Sequence, residues 1–392
     1  MKLVFASDSF KGSLSSKQIA ELLTKASKEV FKECETVPVI LADGGEGTLD
    51  AVLAVMPGRR IPAAVHGPLM QKINACYGCL NGGKAFVEMA QASGLTLVPA
   101  DMRDPMLTTS IGTGELIREA LLARHKDISV AIGGSATNDG GMGALSALGV
   151  RFLDRDGNVL AGVGKDLCRV SHIDMNGIMP ELKDAHFTVM CDVTNPLCGP
   201  SGASFVFGPQ KGADTDKVKL LEEGMINFKE LIIRTFGTDP DTIPGAGAAG
   251  GMGAALKIFL GAELKSGIDT MLDLCDFDTL IKDADYVITG EGRLDGQSSC
   301  GKAVQGVAGR AKKAGIPCIA ICGSLGDGYE QIKESGISDI VTLTDGNASK
   351  EYAMQHAEEI YYKRAVDVMR NLIWCYNIEY RRFGGYIKNG HK

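Results

Sequence analysis

Several things are missing from this sequence, and each absence closes off a class of function. Lys+Arg total 41 against Asp+Glu 48, for a formal net charge of -7. No basic excess is available to coat a nucleic acid or an anionic membrane. No stretch approaches the ~18 uncharged apolar residues of a membrane-spanning helix, and Asp8 interrupts the short apolar run at the start. A cytoplasmic protein is therefore expected. The six histidines show no pairing at metal or triad spacing, and no GxSxG elbow appears. Hydrolase chemistry is thereby disfavoured. The eleven cysteines are odd in number and scattered, which argues for reduced thiols rather than a disulfide framework. Cys76 and Cys79 form a lone CxxC without the second pair a zinc site needs. There is no internal repeat and no low-complexity segment.

What is present is glycine, 50 residues of it, clustered at Gly44–Gly47, Gly133–Gly143, Gly245–Gly253 and Gly290–Gly301. Such clusters suit tight loops where backbone approaches a ligand, although ordinary turns also use them. With 392 residues and 45% hydrophobic content, two or three domains are expected at ~150 residues each.

Apolar periodicity supplies the architecture. Lys2–Ala6 reads as a buried parallel strand. Ser15 and Gln18 form a capping box ahead of Ile19, Leu22, Leu23, Ala26 and Val30 at helical spacing. Val37–Leu41 reads as a second strand, with a helix from about Glu46. The same alternation returns with strands at Tyr286–Thr289, Cys318–Ile321 and Ile340–Leu343 and a long helix ending near Trp374. Together these predict a flavodoxin-like open parallel sheet of five strands in an α/β protein. The middle reads differently: paired strands near Lys72–Leu80 and Lys84–Met89, buried strands at Ser129–Ile132 and His186–Cys191, and helices after Thr113 and Met142. The expected organisation is a discontinuous domain of 1–66 and 264–392, with a second α/β domain, 67–263, inserted into it and the active site in the cleft between them.

The acid-bearing loops follow strands, where open α/β sheets place ligands. Ser7–Gly12 offers Asp8, Ser9 and Lys11; Asp43–Thr48 offers Asp43 and Glu46; Glu291–Asp295 adds Arg293. Carboxylates that can hold Mg²⁺, beside cations that meet phosphate oxygens, point to phosphoryl transfer. Any one acid at a helix start is also an ordinary N-cap. Ile132–Gly141 joins a strand to a helix, so converging backbone N–H groups and the helix dipole would favour phosphate. Ser110–Gly114 opens another helix in the same way. Asp192, at a strand end, is a candidate base for a hydroxyl proton, and Lys211 a candidate partner for carboxylate or phosphate.

Two motifs are near misses. Gly245–Gly250 matches GxGxxG, but Asp239–Pro244 before it is turn-like where a dinucleotide fingerprint needs a strand. Gly296–Ala303 matches GxxxxGK, yet Ala303 stands where the Walker hydroxyl must hold Mg²⁺.

The loops Ser7–Ser13, Ala42–Thr48, Gly133–Gly141, Phe207–Ala213, Gly245–Gly251 and Thr289–Arg293 resemble, in order and from residue 1 to about 350, those of the bacterial type-1 glycerate kinase family. Ile378–Lys392 extends beyond the usual terminal helix. The resemblance implies ATP-dependent phosphorylation of D-glycerate with Mg²⁺, 2-phosphoglycerate being favoured over 3-phosphoglycerate. The partners are then glycerate and ATP, with no nucleic acid or membrane; a homodimer is admissible. In the resulting scheme Asp43, Glu291 and Asp295 gather Mg²⁺, while Lys11, Arg293 and Asp192 are catalytic. Asp8, Ser9, Ser135, Asn138, Asp139, Asn195 and Lys211 bind substrate. Gly133, Gly134, Gly140, Gly112 and Thr113 bind nucleotide phosphate. The alternatives are an NAD-dependent dehydrogenase of a small hydroxy acid, built on Gly245–Gly250, and a non-catalytic sugar-acid-binding protein.

Overall fold

In the computed structural model, which describes residues 1–42, 44–295, 302–343 and 350–382, the first apolar run becomes an interior strand of a five-stranded sheet. The strands among these residues are β1 (Lys2–Ser7), β2 (Glu35–Pro38), β3 (Gly58–His66), β4 (Lys72–Leu80), β5 (Lys84–Glu88), β6 (Asp127–Ala131), β7 (Arg151–Leu153), β8 (His172–Asp174), β9 (His186–Met190), β10 (Glu263–Lys265), β11 (Tyr286–Leu294), β12 (Cys318–Leu325) and β13 (Ile337–Thr342). The chain divides into two compact units, Met1–Ala42 with Met271–Lys392, and Asp43–Thr270.

The first unit carries an all-parallel sheet in the order β13-β12-β11-β1-β2. That is the flavodoxin-like order anticipated from the alternating pattern. Helices cover both faces of such a sheet, so Leu3, Val4, Phe5 and Ala6 of β1 are all buried and the run is continuously apolar. The capping box forms as read: Gln18 N donates to Ser15 Oγ at 3.2 Å, and Ser15 N to Gln18 Oε1 at 2.9 Å. Such a cap is worth roughly 1 kcal/mol. Ile19, Leu23 and Ala26 of that helix, Ser16–Val30, bury against Phe5, Ile288 and Ile321 and against Tyr361 and Met369 of the long helix Ala357–Arg382.

The second unit holds a mixed sheet in the order β10-β9-β6-β5-β4-β3. β3, β4 and β5 are antiparallel; β5, β6, β9 and β10 run parallel. Its division from the first unit falls after Ala42, whereas the sequence reading put it after residue 66. The reason is β3, which pairs with β4 along its whole length from Gly58↔Leu80 to His66↔Lys72. Pro62 obscures this strand in the sequence. β3 is an edge strand, where a missing N–H is tolerated. The other division likewise moves from 263 to 270, because β10 is hydrogen-bonded to β9. The core is built by Val65, Tyr77, Val87, Val130 and Val189 of the sheet under Leu116, Ile117 and Met252.

Candidate active site

In the first unit the chain leaves β1 toward β2 and leaves β11 toward β12, on opposite sides. The carboxyl ends of β1 and β11 therefore form the topological switch point, the usual ligand position in an open α/β sheet. Register puts Ser7 opposite Gly290, and Asp8 N donates to Gly290 O at 2.9 Å. The Asp8 carboxylate accepts from Ser9 N at 2.6 Å, which shapes the turn. Phe10 is buried and anchors the loop through an edge contact to Tyr361, ring centroids 5.5 Å apart, leaving Lys11 exposed beside it. A Cβ placed on Gly292 would lie 3.4 Å from Phe10 Cα and 3.8 Å from Lys11 N, so the two loops touch. The segments that carry Asp8, Ser9 and Lys11 and Glu291, Arg293 and Asp295 are thus neighbours, while the third acid-bearing loop of the sequence reading, 43–48, belongs to the second unit.

The polarity within this group is uneven. Glu291 is 5% exposed and lies in register with Cys322 of β12. Burial, helped by the Glu291 charge, pushes the Cys322 thiol up to about 12, so it stays protonated. Arg293 Nε lies 3.6 Å from Asp295 Oδ2, with the arginine side chain 63% exposed and the aspartate 15%. A cation stands at the surface with a carboxylate behind it.

In the second unit, β5, β6 and β9 end side by side, because Glu88 registers with Ala131 and Ala131 with Met190. Their loops carry Glu88, the glycine loop 133–141 and Asp192. The Gly44–Thr48 segment joins them: Gly133 N donates to Gly44 O at 3.0 Å. Only glycine fits at 133, since a Cβ there would sit 2.6 Å from Gly44 O.

The glycine loop spends most of its donors inside the protein. Ala136 N bonds Ser93 O, Gly140 N bonds Gly250 O, and Gly141 N and Gly143 N bond the Asp139 carboxylate. Asp139 is fully buried and also accepts from Ser110 N and Ser110 Oγ, both at 2.7 Å. Burial pushes its pKa up, and those hydrogen bonds pull it back. It ties the start of the helix Ile111–Leu122 to that of Met142–Ala147. Gly112 and Thr113 also face inward. A Cβ on Gly112 would meet His66 O at 1.9 Å, and Thr113 Oγ1 bonds Ser93 Oγ at 2.8 Å. Asp139, Gly112, Thr113 and Gly140, expected to bind ligand, hold the loop in place. Gly245–Gly250 is accounted for in the same way: a Cβ on Gly250, whose φ is +68°, would lie 2.1 Å from Thr137 O. This motif braces the glycine loop instead of facing a dinucleotide.

Three residues do carry exposed or reactive polarity here. Lys211 is 2% exposed, and its Nζ donates to Ser135 Oγ at 2.8 Å and to Thr137 O at 2.6 Å. Desolvation lowers its pKa from 10.5 to about 7, opposed by the charge of Asp139. Asp192 is half-buried and accepts from Gly267 N at 3.0 Å. Asn195 is half-buried and donates through Nδ2 to Ser201 O at 2.7 Å. Asn138 is fully buried, with Nδ2 toward Ser204 Oγ at 3.3 Å and Oδ1 without a partner. One residue escaped the sequence reading altogether. Glu88, 0% exposed, accepts from Gly47 N at 3.1 Å and Leu49 N at 2.8 Å, capping the helix Thr48–Val55 in place of a local side chain. A carboxylate closing the apolar run Ala85–Val87 was the available signal.

A family model described as the glycerate kinase family matches residues 3–373. The chain belongs to this family. Glycerate 2-kinase of Escherichia coli (strain K12) is 48% identical over 344 residues, covering 88% of this chain and 90% of that protein. Glycerate kinase of Bacillus subtilis (strain 168) is 42% identical over 373 residues, 95% and 98% of the two chains. A crystal structure of a candidate glycerate kinase 2 from Salmonella typhimurium LT2 superposes with a TM-score of 0.85 at 42% identity, covering 96% of this chain and 99% of that one.

Two expectations fall outside the described residues: Asp43 as a metal ligand, and the Gly296–Gly301 part of the GxxxxGK near miss. Among the described residues no group of three His, Cys, Asp or Glu stands ready to hold a metal. Glu291 and Asp295 still fit Mg²⁺ chemically, because that ion commonly takes one or two carboxylates and completes its shell with water and phosphate oxygens. Among the described residues no helix is long and apolar enough to cross a membrane.

Proposed function

We propose that the protein transfers the γ-phosphoryl group of ATP to a hydroxyl of D-glycerate, with 2-phosphoglycerate as the product. The observation that carries this reading is the switch point of the first unit, where Asp8, Lys11, Glu291, Arg293 and Asp295 gather in a chain related along nearly its whole length to glycerate kinases. Such transfer depends on alignment and charge neutralisation more than on covalent help. Lys11 and Arg293, both exposed, neutralise phosphoryl or carboxylate oxygens. Glu291 and Asp295 would hold Mg²⁺, which would supply charge neutralisation there. Asp192 takes the acceptor hydroxyl proton, and Ser9, Ser135, Asn138 and Asn195 belong to substrate recognition, with Lys211 behind Ser135. Gly133 and Gly134 line the phosphate loop that Asp139, Gly112, Thr113 and Gly140 hold rigid. We place the reaction in the cytoplasm, where ATP is supplied.

A coupled ADP-release assay over a panel of small hydroxy acids tests the reading, with the product identified by phosphorus NMR. Glycerate-dependent ADP release is expected, and Asp192→Asn should lose at least 100-fold in kcat, the usual order for a general base. Glycerate binding without ADP release would leave a sensor in place of an enzyme. Near-wild-type turnover of Asp192→Asn would remove that residue from the scheme.

A further inference from the structure

Lys211 is too deeply buried to meet a ligand itself, at 2% exposure, and its ammonium ends on Ser135, which is buried but beside the open backbone of Gly134. Nζ donates to Ser135 Oγ at 2.8 Å and to Thr137 O at 2.6 Å. Ser135 keeps 8% of its surface exposed, and no described residue accepts its hydroxyl proton. A hydroxyl whose lone pair is occupied by an ammonium must point its own proton elsewhere, and the ammonium polarises it.

We propose that Lys211 and Ser135 form a relay that presents a polarised O–H to an anionic oxygen, carboxylate or phosphate, so that the lysine charge is felt by the ligand without contact. Ser135 is the binding residue and Lys211 the positioning residue. This rests on the kinase reading only for the names of the two substrates.

The relay has two settings. With Lys211 protonated, Nζ donates to Ser135 and the hydroxyl proton faces outward. With Lys211 neutral, the Nζ lone pair accepts the Ser135 proton and the hydroxyl presents lone pairs to an anion, which repels it. Burial brings Lys211 down to about 7, inside the working range. The charged groups around it are few among the described residues. Asp139 of the glycine loop acts on it directly; Asp214 is occupied with Asp216 N and Lys217 N; Arg103 backs the adjoining Gly212; and Asp104 pairs with Lys217 at 2.8 Å. A bound anion would favour the protonated setting.

Ser135→Ala, Ser135→Thr, Lys211→Met and the double variant Ser135→Ala/Lys211→Met are compared by titration calorimetry with D-glycerate, ATP and inorganic phosphate at pH 6 and pH 9, and by steady-state kinetics. A charge-assisted hydrogen bond predicts a ten- to hundredfold loss of affinity for one substrate in Ser135→Ala, with the affinity for the other within threefold. A loss for glycerate assigns a carboxylate, and a loss for ATP and phosphate assigns a phosphoryl oxygen. Lys211→Met should lose affinity for the same substrate, the double variant should be no worse than the singles, and Ser135→Thr should recover. Wild-type affinity for that ligand should fall between pH 6 and pH 9, while Lys211→Met stays flat. Unchanged affinities in Ser135→Ala, additive losses in the double variant, or losses on different substrates would overturn the relay. If the wild type binds these anions in a Ser135-dependent way without releasing ADP, the kinase reading falls and the relay stands.

Discussion

Replacing Lys211 by methionine should change the sign of its effect on stability between acid and alkaline pH. In the folded protein this lysine holds its proton with a pKa of about 7 against an ordinary 10.5, because burial penalises the charge. The difference of 3.5 units at ~1.36 kcal/mol each is roughly 5 kcal/mol. Below pH 7 both states carry the charge and the full cost is present. Between 7 and 10.5 the unfolded chain binds more protons than the folded one, so stability climbs by up to ~1.4 kcal/mol per pH unit. Above that the cost is gone. Methionine removes the charge but abandons two hydrogen bonds and leaves the buried Thr137 carbonyl unpaired, a loss of about 1–3 kcal/mol. Lys211→Met should therefore be more stable than wild type by about 2–4 kcal/mol at pH 6, equal near pH 9, and less stable above pH 10. Urea unfolding followed by far-ultraviolet circular dichroism would show this as a midpoint shift on the order of 1 M at pH 6 that reverses with pH. A difference between the two proteins that stays constant from pH 6 to pH 10 would refute the argument, since it would mean that Lys211 keeps its proton as easily folded as unfolded.

Two further outcomes follow from groups that hold the loops. Glu88→Gln turns one of two accepting oxygens into a donor facing Gly47 N or Leu49 N, and should destabilise the protein by roughly 2–4 kcal/mol in urea unfolding. Gly250→Ala drives a Cβ to 2.1 Å from Thr137 O at a φ of +68°; it should lower the thermal midpoint by several degrees and kcat/KM at least tenfold, in a coupled assay that needs no nicotinamide. Wild-type behaviour of Gly250→Ala would return the GxGxxG segment to the list of ligand loops.

The inner strands of the five-stranded sheet were legible because β1, β11 and β12 carry runs of buried apolar residues, whereas the edge strands β2 and β13 are only partly buried and had to be read from the recurring alternation with helices. Strand edges moved by a few residues: Val37–Leu41 was expected where Glu35–Pro38 pairs with β1, because hydrogen bonding depends on the neighbouring strand and not on local hydrophobicity. β3 was missed because Arg59, Arg60 and Pro62 break its pattern; its pairing with β4, with His66 bonded to Glu115, holds it in the second unit.

The candidate site divides in the same manner. Sequence alone determined which residue types would stand at each strand end: acids and cations after β1 and in the last residues of β11, glycines after β6, an aspartate after β9. Those identities are local, and so is the chemistry they permit. Tertiary structure decided which of them face outward. Asp139 and Ser135 lie four residues apart in one glycine loop, yet Asp139 is sealed by donors from two helix starts while Ser135 is met by a lysine 76 residues away. Burial and the direction of a hydrogen bond are properties of the surroundings, so no reading of the loop by itself could tell the carboxylate sealed by helix starts from the hydroxyl met by a buried lysine.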